Sequence, residues 1–151
     1  MTESHTRSEY ASFASRVKLG QVLTESCSAR RVSEGTSASI DLVLAIGIAP
    51  AKESVFYRLE ANASLKDSSG EEVGVVEAAV VTRYDLTEVQ IPTESVLQEF
   101  ADREAVAVAY PYIRENIQSL AARVGFAGAV IPYLGSSDLR DLPHGEPDRI
   151  D

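Results

Sequence analysis

The stretch ASIDLVLAIGI, residues 38–48, constrains the fold of this chain more than any other part of the sequence. Its even-numbered positions from Ile40 onward carry large aliphatic side chains, whereas its odd-numbered positions are mostly small or polar. Successive side chains of a strand point to opposite faces of a sheet, so this alternation predicts a strand with one buried face. The alternation resumes over residues 55–66 after a break at APAKES, and it predicts a second strand of the same kind.

The turn-rich segment DSSGEE, residues 67–72, predicts a hairpin, and the returning strand has a different pattern. Val73, Val75 and Val81 lie on one parity, and Val76 and Val80 lie on the other. A strand that is apolar on both faces is usually buried on both faces. Helices of a short chain can cover one face, so a second copy of the chain is the simplest cover for the other.

Helical spacing appears on both sides of these strands. Tyr10, Phe13, Ala14 and Val17 predict a short N-terminal helix with Ser8 as a candidate cap, and residues 19–32 predict a first strand. The order of strands first and long helices last indicates an α+β fold. We expect a flexible N-terminus over residues 1–9, a single domain over 10–134 and a disordered polar tail over 135–151.

Two helices are predicted in the second half of the chain. Thr93 is the expected N-cap of the first, with Glu94 at its positive end. The second lies in AYPYIRENIQSLAARVGF, residues 109–126. Proline costs no hydrogen bond in a first helical turn and glycine accepts the left-handed conformation, so Pro111 and Gly125 are predicted to mark its ends.

Composition limits the partners of the chain. The 151 residues carry a formal net charge of −9, which disfavours contact with nucleic acid or an anionic membrane surface. No apolar run approaches the roughly 18 residues that a membrane-spanning helix needs, and the polar N-terminus lacks a signal-peptide pattern. We therefore expect a cytoplasmic protein that does not insert into membranes.

No group of residues with catalytic or metal-binding spacing appears in the sequence. A metal site formed by His144 with Asp138, Asp141 or Asp148 is conceivable, but a disordered tail would not fix the geometry that a metal needs. Cys27 is the only cysteine, so no internal disulfide forms, and it has no histidine nearby to activate it as a nucleophile. We predict neither an enzyme nor a cofactor or metal; an enzyme or small-ligand pocket on an α+β fold is the weaker alternative.

The stretch at residues 109–126 resembles the SecB family of export chaperones. Members of that family carry an aromatic-Pro-Tyr-x-Arg-Glu element at the start of a long helix, then an arginine, a glycine and an aromatic residue, and then an apolar segment with proline. The matching residues here are Tyr110, Pro111, Tyr112, Arg114, Glu115, Arg123, Gly125 and Phe126, followed by AVIPYL. Upstream, residues 55–86 resemble the third and fourth strands of the family.

The resemblance implies a four-stranded antiparallel sheet with the C-terminal helices packed on one face, assembled as a homotetramer that is a dimer of dimers. It implies an ATP-independent holdase that binds unfolded or non-native polypeptides in apolar grooves, for protein export or for protection of a labile partner. The predicted short N-terminal helix resembles one found in some SecB-like proteins of toxin–antitoxin systems. The resemblance therefore implies a dedicated antitoxin-stabilising chaperone as the alternative function.

Candidate site residues follow from the same resemblance. The expected client-binding residues are Leu42, Leu44, Ile46, Tyr57, Leu59, Tyr84, Leu86, Phe100 and Tyr110. The expected oligomer interface consists of Val73, Val75, Glu77, Ala79, Val81, Ile113, Ile117 and Leu120. The expected partners are unfolded preproteins or an antitoxin, together with the translocase motor ATPase, for which Glu77 and Glu25 are the candidate docking acids.

Overall fold

In the computed structural model, residues 2–37, 39–87, 90–129 and 131 are described. One four-stranded antiparallel sheet has the strand order β1-β4-β3-β2, which confirms the predicted α+β fold. The elements are α1 (Thr2–Arg16), β1 (Val17–Arg31), β2 (Ser39–Pro50), β3 (Ser54–Lys66), β4 (Glu72–Leu86), α2 (Glu94–Phe100) and α3 (Val106–Arg123). A π-helical turn, Ala101–Ala105, joins α2 to α3.

The β3–β4 turn is formed by local hydrogen bonds, as its sequence predicts. The Asp67 carboxylate accepts hydrogen bonds from the backbone N–H groups of Ser69, at 2.8 Å, and Glu71, at 3.1 Å. Gly70 has a φ of 86°, which is a left-handed conformation that glycine adopts without steric cost. The turn sets the register in which Leu59 lies opposite Val80.

The sheet has two unlike faces, because side chains alternate along each strand. We call the side that carries Leu59 and Val80 the covered face, since the helices pack on it. We call the side that carries Arg58 and Val81 the open face. On the covered face, the helix stripe of α3 is buried: Val106, Ala109, Tyr110, Ile113, Ile117 and Ala121.

The two-sided apolar pattern of β4 has a cause within the single chain. β4 is a central strand between β1 and β3, so long side chains of its neighbours shield its open face. Arg58 of β3 reaches across β4 to Glu25 of β1, with 3.0 Å between Nε and Oε1. Ala79 of β4, on this face, is 1% exposed within its own chain. The apolar pattern of β4 therefore does not by itself require a partner.

The N-terminal helix is longer than its sequence predicts. α1 begins at Thr2, so the segment 2–9 that we expected to be flexible is helical. Only its C-terminal part carries apolar residues at helical spacing, which is why the prediction began at Tyr10. A contact distant in sequence helps to place the earlier turns, because the Glu9 carboxylate accepts a hydrogen bond from the Thr93 N–H at 3.3 Å.

One prediction about the C-terminal helices is confirmed in position and another is wrong. Thr93 occupies the N-cap position of α2, but its side chain makes no capping hydrogen bond. Pro111 lies inside α3 rather than at its start, because the helix already begins at Val106. The proline leaves the Ala107 carbonyl without its usual partner, and Ala107 is exposed, so water can supply that bond.

The C-terminal end of α3 is as predicted. Gly125 has a φ of 97°, and its N–H donates to the Ala122 carbonyl at 3.1 Å. The next N–H, that of Phe126, donates to the Ala121 carbonyl at 2.8 Å. This is a Schellman motif, which ends the helix and satisfies carbonyls of its last turn. The predicted tail over 135–151, including His144 and the acids near it, lies outside the described residues.

Candidate functional site

An aromatic pocket lies at one end of the covered face. We define it by the rings of Tyr57 on β3, Tyr84 on β4 and Phe100 at the end of α2. The Phe100 ring lies 4.9 Å from that of Tyr84 and 5.7 Å from that of Tyr57. A fourth ring, Phe13 of α1, packs edge-on against Phe100 at 5.3 Å and closes the pocket. Aromatic pairs prefer such edge-to-face contacts.

The two tyrosine hydroxyls of the pocket have different surroundings. The Tyr57 hydroxyl donates to the Leu97 carbonyl at 3.0 Å, and burial raises its pKa well above the ordinary value. Burial also raises the pKa of Tyr84, to about 12. The Thr82 hydroxyl lies close enough to Tyr84 to act in the opposite direction on that pKa, although it donates to the Tyr57 carbonyl at 3.4 Å and makes no hydrogen bond of good geometry with Tyr84 Oη. Within the described part of the chain, no residue completes a hydrogen bond with the buried Tyr84 Oη.

A row of aliphatic side chains continues the apolar surface from this pocket to the sheet edge. On β2, Ile48 lies opposite Tyr57 and Ile46 lies opposite Leu59, so the row adjoins the pocket. Its central members are buried, whereas Ile40, Leu42 and Ile48 are only partly buried. We call these three partly buried residues the β2 strip. β2 is an edge strand, so the β2 strip lies where a bound chain can reach it.

Most of the predicted client-binding residues lie on the covered face and are closed off in this structure. Buried residues are Leu44, Ile46, Tyr57, Leu59, Tyr84, Phe100 and Tyr110, and partly buried residues are Leu42 and Leu86. Leu86 lies apart from the others, in a shallow depression that Lys52, Glu53 and Arg83 also line. Their contact with a client stays a prediction, and Leu42 and Leu86 are the members that a client can reach without rearrangement of the protein.

The aromatic residues of α3 and its C-terminal end differ in exposure. Tyr110 is 5% exposed and Phe126 is 4% exposed, so both belong to the core. The Arg31 guanidinium lies 4.4 Å from the centre of the Phe126 ring, a cation–π contact that the sequence analysis did not anticipate. Tyr112 is 49% exposed and is the ring of this stretch that faces solvent.

The open face carries both candidate docking acids. Glu77 is exposed on β4, whereas Glu25 is held by Arg58, which also contacts Glu60 at 2.6 Å. Arg83 and Asp85 form a further pair on this face, with 3.0 Å between Nε and Oδ1. Acidic and basic groups therefore alternate across the open face, and it is not a uniformly acidic patch.

The predicted oligomer interface divides between three places. Val75, Ala79, Val81 and Glu77 lie on the open face, beside the exposed Leu23 of β1. Val73 is buried at a strand irregularity, where its carbonyl accepts the Val32 N–H at 2.9 Å. On α3, Ile113 and Ile117 are fully buried against the sheet of their own chain, and Leu120 is partly buried. The role of all eight residues in assembly stays a prediction.

Other kinds of site have little support among the described residues. They contain no group of three or more potential metal ligands. Cys27 is exposed on β1. Within the same ranges, no helix is long and apolar enough to cross a membrane. The residues that the sequence analysis missed are Phe13, which it placed on a helix without a role, and Leu19 and Leu23, which are exposed on an edge strand.

Comparisons with known proteins rest on structure alone. No family model matches the sequence, and no curated protein matches it either. A solved structure, that of the Mycobacterium tuberculosis Rv1957 SecB-like chaperone in complex with a ChAD peptide from the Rv1956 HigA1 antitoxin, is similar with a TM-score of 0.77. The match has 17% sequence identity and covers 85% of this chain and 97% of that chain.

A second solved structure is less similar. It is a protein of unknown function from Streptococcus agalactiae, matched with a TM-score of 0.41, 14% identity, and coverage of 72% of this chain and 86% of that one. The strand order, the helices on one face and the extra N-terminal helix, together with the first match, show that this chain has the SecB-like fold.

Proposed function

We propose that this protein is a chaperone that holds non-native polypeptide chains on apolar side chains, without ATP. The observation that carries the proposal is the SecB-like fold, shared over most of both chains with a chaperone whose solved structure contains a bound peptide. A binding function of this kind needs accessible apolar surface and no catalytic group. The site is built from aromatic and aliphatic side chains, of which the β2 strip is partly accessible in this structure.

The β2 strip and the aromatic pocket are the proposed client surface. Burial of apolar area contributes about 25 cal/mol per Å² irrespective of the client sequence, so a row of aliphatic side chains can hold many different chains. The exposed backbone edge of β2 adds main-chain hydrogen-bonding groups, to which an extended client can pair as an additional strand. Both features recognise an unfolded chain and not a particular folded surface.

A dedicated role in stabilising an antitoxin is the second candidate. It is supported by the peptide in the Rv1957 complex, which comes from an antitoxin. Export by way of the translocase motor has weaker support, since Glu25 is already paired with Arg58 and the open face carries both signs of charge. A generic holdase in the cytoplasm and a dedicated antitoxin chaperone share the same site and differ only in the range of clients.

Self-association as a dimer of dimers remains part of the proposal. β1 is a 15-residue edge strand, and Leu19 and Leu23 are 48% and 49% exposed on it. A long edge strand with exposed leucines is a template for pairing with another strand. Leu23 lies opposite Val81, so the predicted open-face interface residues adjoin this edge. Replacement of Leu23 by lysine is expected to lower the mass measured by light scattering.

The proposal is tested by suppression of aggregation. A chemically unfolded, slowly refolding protein is diluted into buffer with a stoichiometric amount of the chaperone and without ATP, and light scattering is followed. Leu42→Asp introduces a charge into the β2 strip and is expected to abolish most of the protection. Val43→Asp is the matched control, because Val43 is on the same strand but 61% exposed on the open face.

Three outcomes decide between the candidates. Protection that is lost in Leu42→Asp and kept in Val43→Asp supports the covered face as the client surface. Protection of an antitoxin but of no generic client supports the dedicated role. A wild-type protein that leaves aggregation of every client unchanged contradicts the chaperone proposal.

A further inference from the structure

The helix α1 is fastened to the rest of the protein largely through one aromatic ring. Phe13 is 1% exposed, whereas the other apolar side chains of the helix near it, Tyr10 and Ala14, are only partly buried. The remaining described side chains of α1 are mostly polar and exposed. A helix in this position normally presents a stripe of apolar residues to the core, and α1 lacks one.

The place that Phe13 occupies is the aromatic pocket of the proposed client surface. Its ring stands nearly perpendicular to that of Phe100, at an angle of 81°. Phe100 in turn contacts both Tyr57 and Tyr84, so Phe13 completes a cluster whose other members come from β3, β4 and α2. Those three other residues are predicted to bind clients, and in this structure Phe13 of the same chain packs on one of them, Phe100.

Two contacts of α1 with distant parts of the chain lie at its rim. Glu9 accepts a hydrogen bond from the Thr93 N–H, and the Arg103 guanidinium lies 4.9 Å from the centre of the Tyr10 ring. Groups of this kind at an exposed surface exchange readily for water, so they hold a helix in place only slightly. Release of α1 therefore depends mainly on what happens to the Phe13 ring.

The connection between α1 and β1 permits such a release. α1 ends at Arg16 and β1 begins at Val17, with no loop between them. Hinge motions need large backbone changes at only a few residues where an element ends. β1 stays paired with β4 through Leu19, which lies opposite Tyr84, so α1 can swing away while its anchor remains beside the pocket.

We infer that α1 is an intramolecular competitor: Phe13 fills the aromatic pocket in the free protein, and an aromatic side chain of a bound client takes its place. This rests on the proposed holdase function and adds a means of regulating it. In the free protein the aromatic pocket is closed, and a client opens it only if its side chain binds there more tightly than Phe13 does.

The structure also indicates what makes a client the better occupant. Tyr84 Oη is buried without a hydrogen-bond partner among the described residues, and the hydrocarbon ring of Phe13 cannot supply one. A client segment brings backbone N–H and C=O groups together with its aromatic side chain, and one of these can pair with the hydroxyl. A ligand shifts a conformational equilibrium only by its differential affinity for the two states, and this hydrogen bond is such a difference.

A tryptophan reporter tests the displacement in the full chain. The sequence contains no tryptophan, so Phe13→Trp places one fluorophore in the pocket. The client is reduced, carboxymethylated ribonuclease A, which also lacks tryptophan. Client binding is expected to shift the emission to longer wavelength and to raise the acrylamide quenching constant several-fold. Phe126→Trp, in the core beyond α3, is the control and is expected to show neither change.

Two alanine variants test the competition itself. Phe13→Ala removes the competitor and is expected to raise client affinity by about tenfold. This value corresponds to a wild-type protein in which α1 leaves the pocket free in roughly one molecule in ten. Phe100→Ala also leaves a cavity in the same cluster, but it removes a wall of the pocket and is expected to lower client affinity. Urea denaturation checks that both variants are folded, and opposite changes in client affinity then separate competition from loss of structure.

The outcomes that contradict the inference are distinct from failure of the proposed function. Client that co-elutes with the Phe13→Trp protein without changing its emission shows that α1 stays in place, and the inference is then wrong while the holdase function stands. If the indole is already exposed in the free protein, the two alanine variants decide. If Phe13→Ala changes the mass of the assembly but leaves client affinity unchanged, the inference is wrong, and α1 instead docks on a second copy of the chain. Absence of client binding overturns both proposals.

Discussion

α1 and α3 are fastened to the protein in different ways: α3 packs directly on the covered face of the sheet, whereas α1 packs on α2 through the contact of Phe13 with Phe100. α3 buries six side chains at helical spacing, from Val106 to Ala121, and Gly125 closes its end with a Schellman motif. α1 has 15 residues and buries Phe13 alone among its described side chains. A continuous stripe of buried side chains makes a helix part of the core, because the helix cannot detach without exposing every side chain of the stripe to water.

The difference separates a structural helix from a displaceable one. Full burial of one aromatic side chain contributes about 1.5–3 kcal/mol, which lies within the range of local opening free energies in native proteins. α1 can therefore open locally while the sheet and α3 stay folded. Release of α3 would expose the floor of the covered face and would amount to global unfolding.

The largest effect is expected from damage to the α3 stripe. Ile113→Ala removes a fully buried side chain and is expected to lower the free energy of unfolding by about 2–5 kcal/mol, measured by urea denaturation. Tyr112→Ala, on the exposed side of the same helix, is the control and is expected to change it by less than about 0.5 kcal/mol. Equal losses in the two variants would contradict the assignment of the buried face.

The corresponding change in α1 is expected to cost less. A Phe→Ala change in a protein core usually costs about 3–5 kcal/mol, but for Phe13→Ala the loss is limited to what burial of this one ring contributes, about 1.5–3 kcal/mol. Hydrogen exchange is expected to accelerate in α1 and to stay unchanged in α3. A full-sized loss, with faster exchange in both helices, would show that α1 is as much part of the core as α3.

The C-terminal end of α3 gives an effect of similar or smaller size. Gly125→Ala forces a residue with a Cβ into a φ of 97° and brings that Cβ to 2.9 Å from the Arg31 guanidinium. The expected loss is about 1–2 kcal/mol. Gly128→Ala is the matched control, since a Cβ there meets no atom within 4 Å. Indistinguishable urea midpoints for the two variants would argue against the Schellman motif.

A change at Tyr84, whose ring contacts Phe100 from the side of the sheet, is expected to have the smallest effect on stability, and this effect has the opposite sign. Tyr84→Phe removes a buried hydroxyl without a partner, so stability at neutral pH is expected to rise by up to about 1 kcal/mol. Because burial raises the pKa of Tyr84 to about 12, the unfolded chain ionises first. The contribution of Tyr84 ionisation to the free energy of unfolding is fully present below pH 10. It falls by about 1.4 kcal/mol per pH unit between pH 10 and 12.

Urea midpoints measured from pH 8 to 11 test this linkage. The wild-type protein is expected to lose stability above pH 10 more steeply than Tyr84→Phe, while Tyr57 keeps part of the slope in both proteins. Parallel curves would show that the Tyr84 phenol ionises as readily in the native state as in the unfolded chain.

The strands and their faces were predictable because their cause is local. Alternation over residues 38–48 and 55–66 identifies which side of β2 and β3 is buried, and Asp67 and Gly70 explain the turn that follows. Gly125 was equally readable, since a helix end needs a left-handed residue. Pro111 was misjudged as a helix start because nothing in its own neighbourhood shows that the helix already runs through Ala101–Ala105.

The proposed client surface was only half predictable for the same reason. The sequence identifies Tyr57, Tyr84 and Phe100 as large apolar or aromatic residues on suitable faces, and chemistry alone cannot say whether such residues are open or covered. The residue that covers them, Phe13, is remote from all three along the chain. Its own segment carries too little apolar periodicity to indicate where it packs.

The sequence by itself determined the α+β order, the two faces of the sheet, the hairpin turn and the end of α3, because each depends on neighbours along the chain. Only the tertiary structure decided which rings form the core, which acids of the open face are paired, and which residue closes the aromatic pocket. Those properties depend on side chains that meet across β1, β4 and the helices, and burial is set by whatever lies on top, however distant it is in sequence.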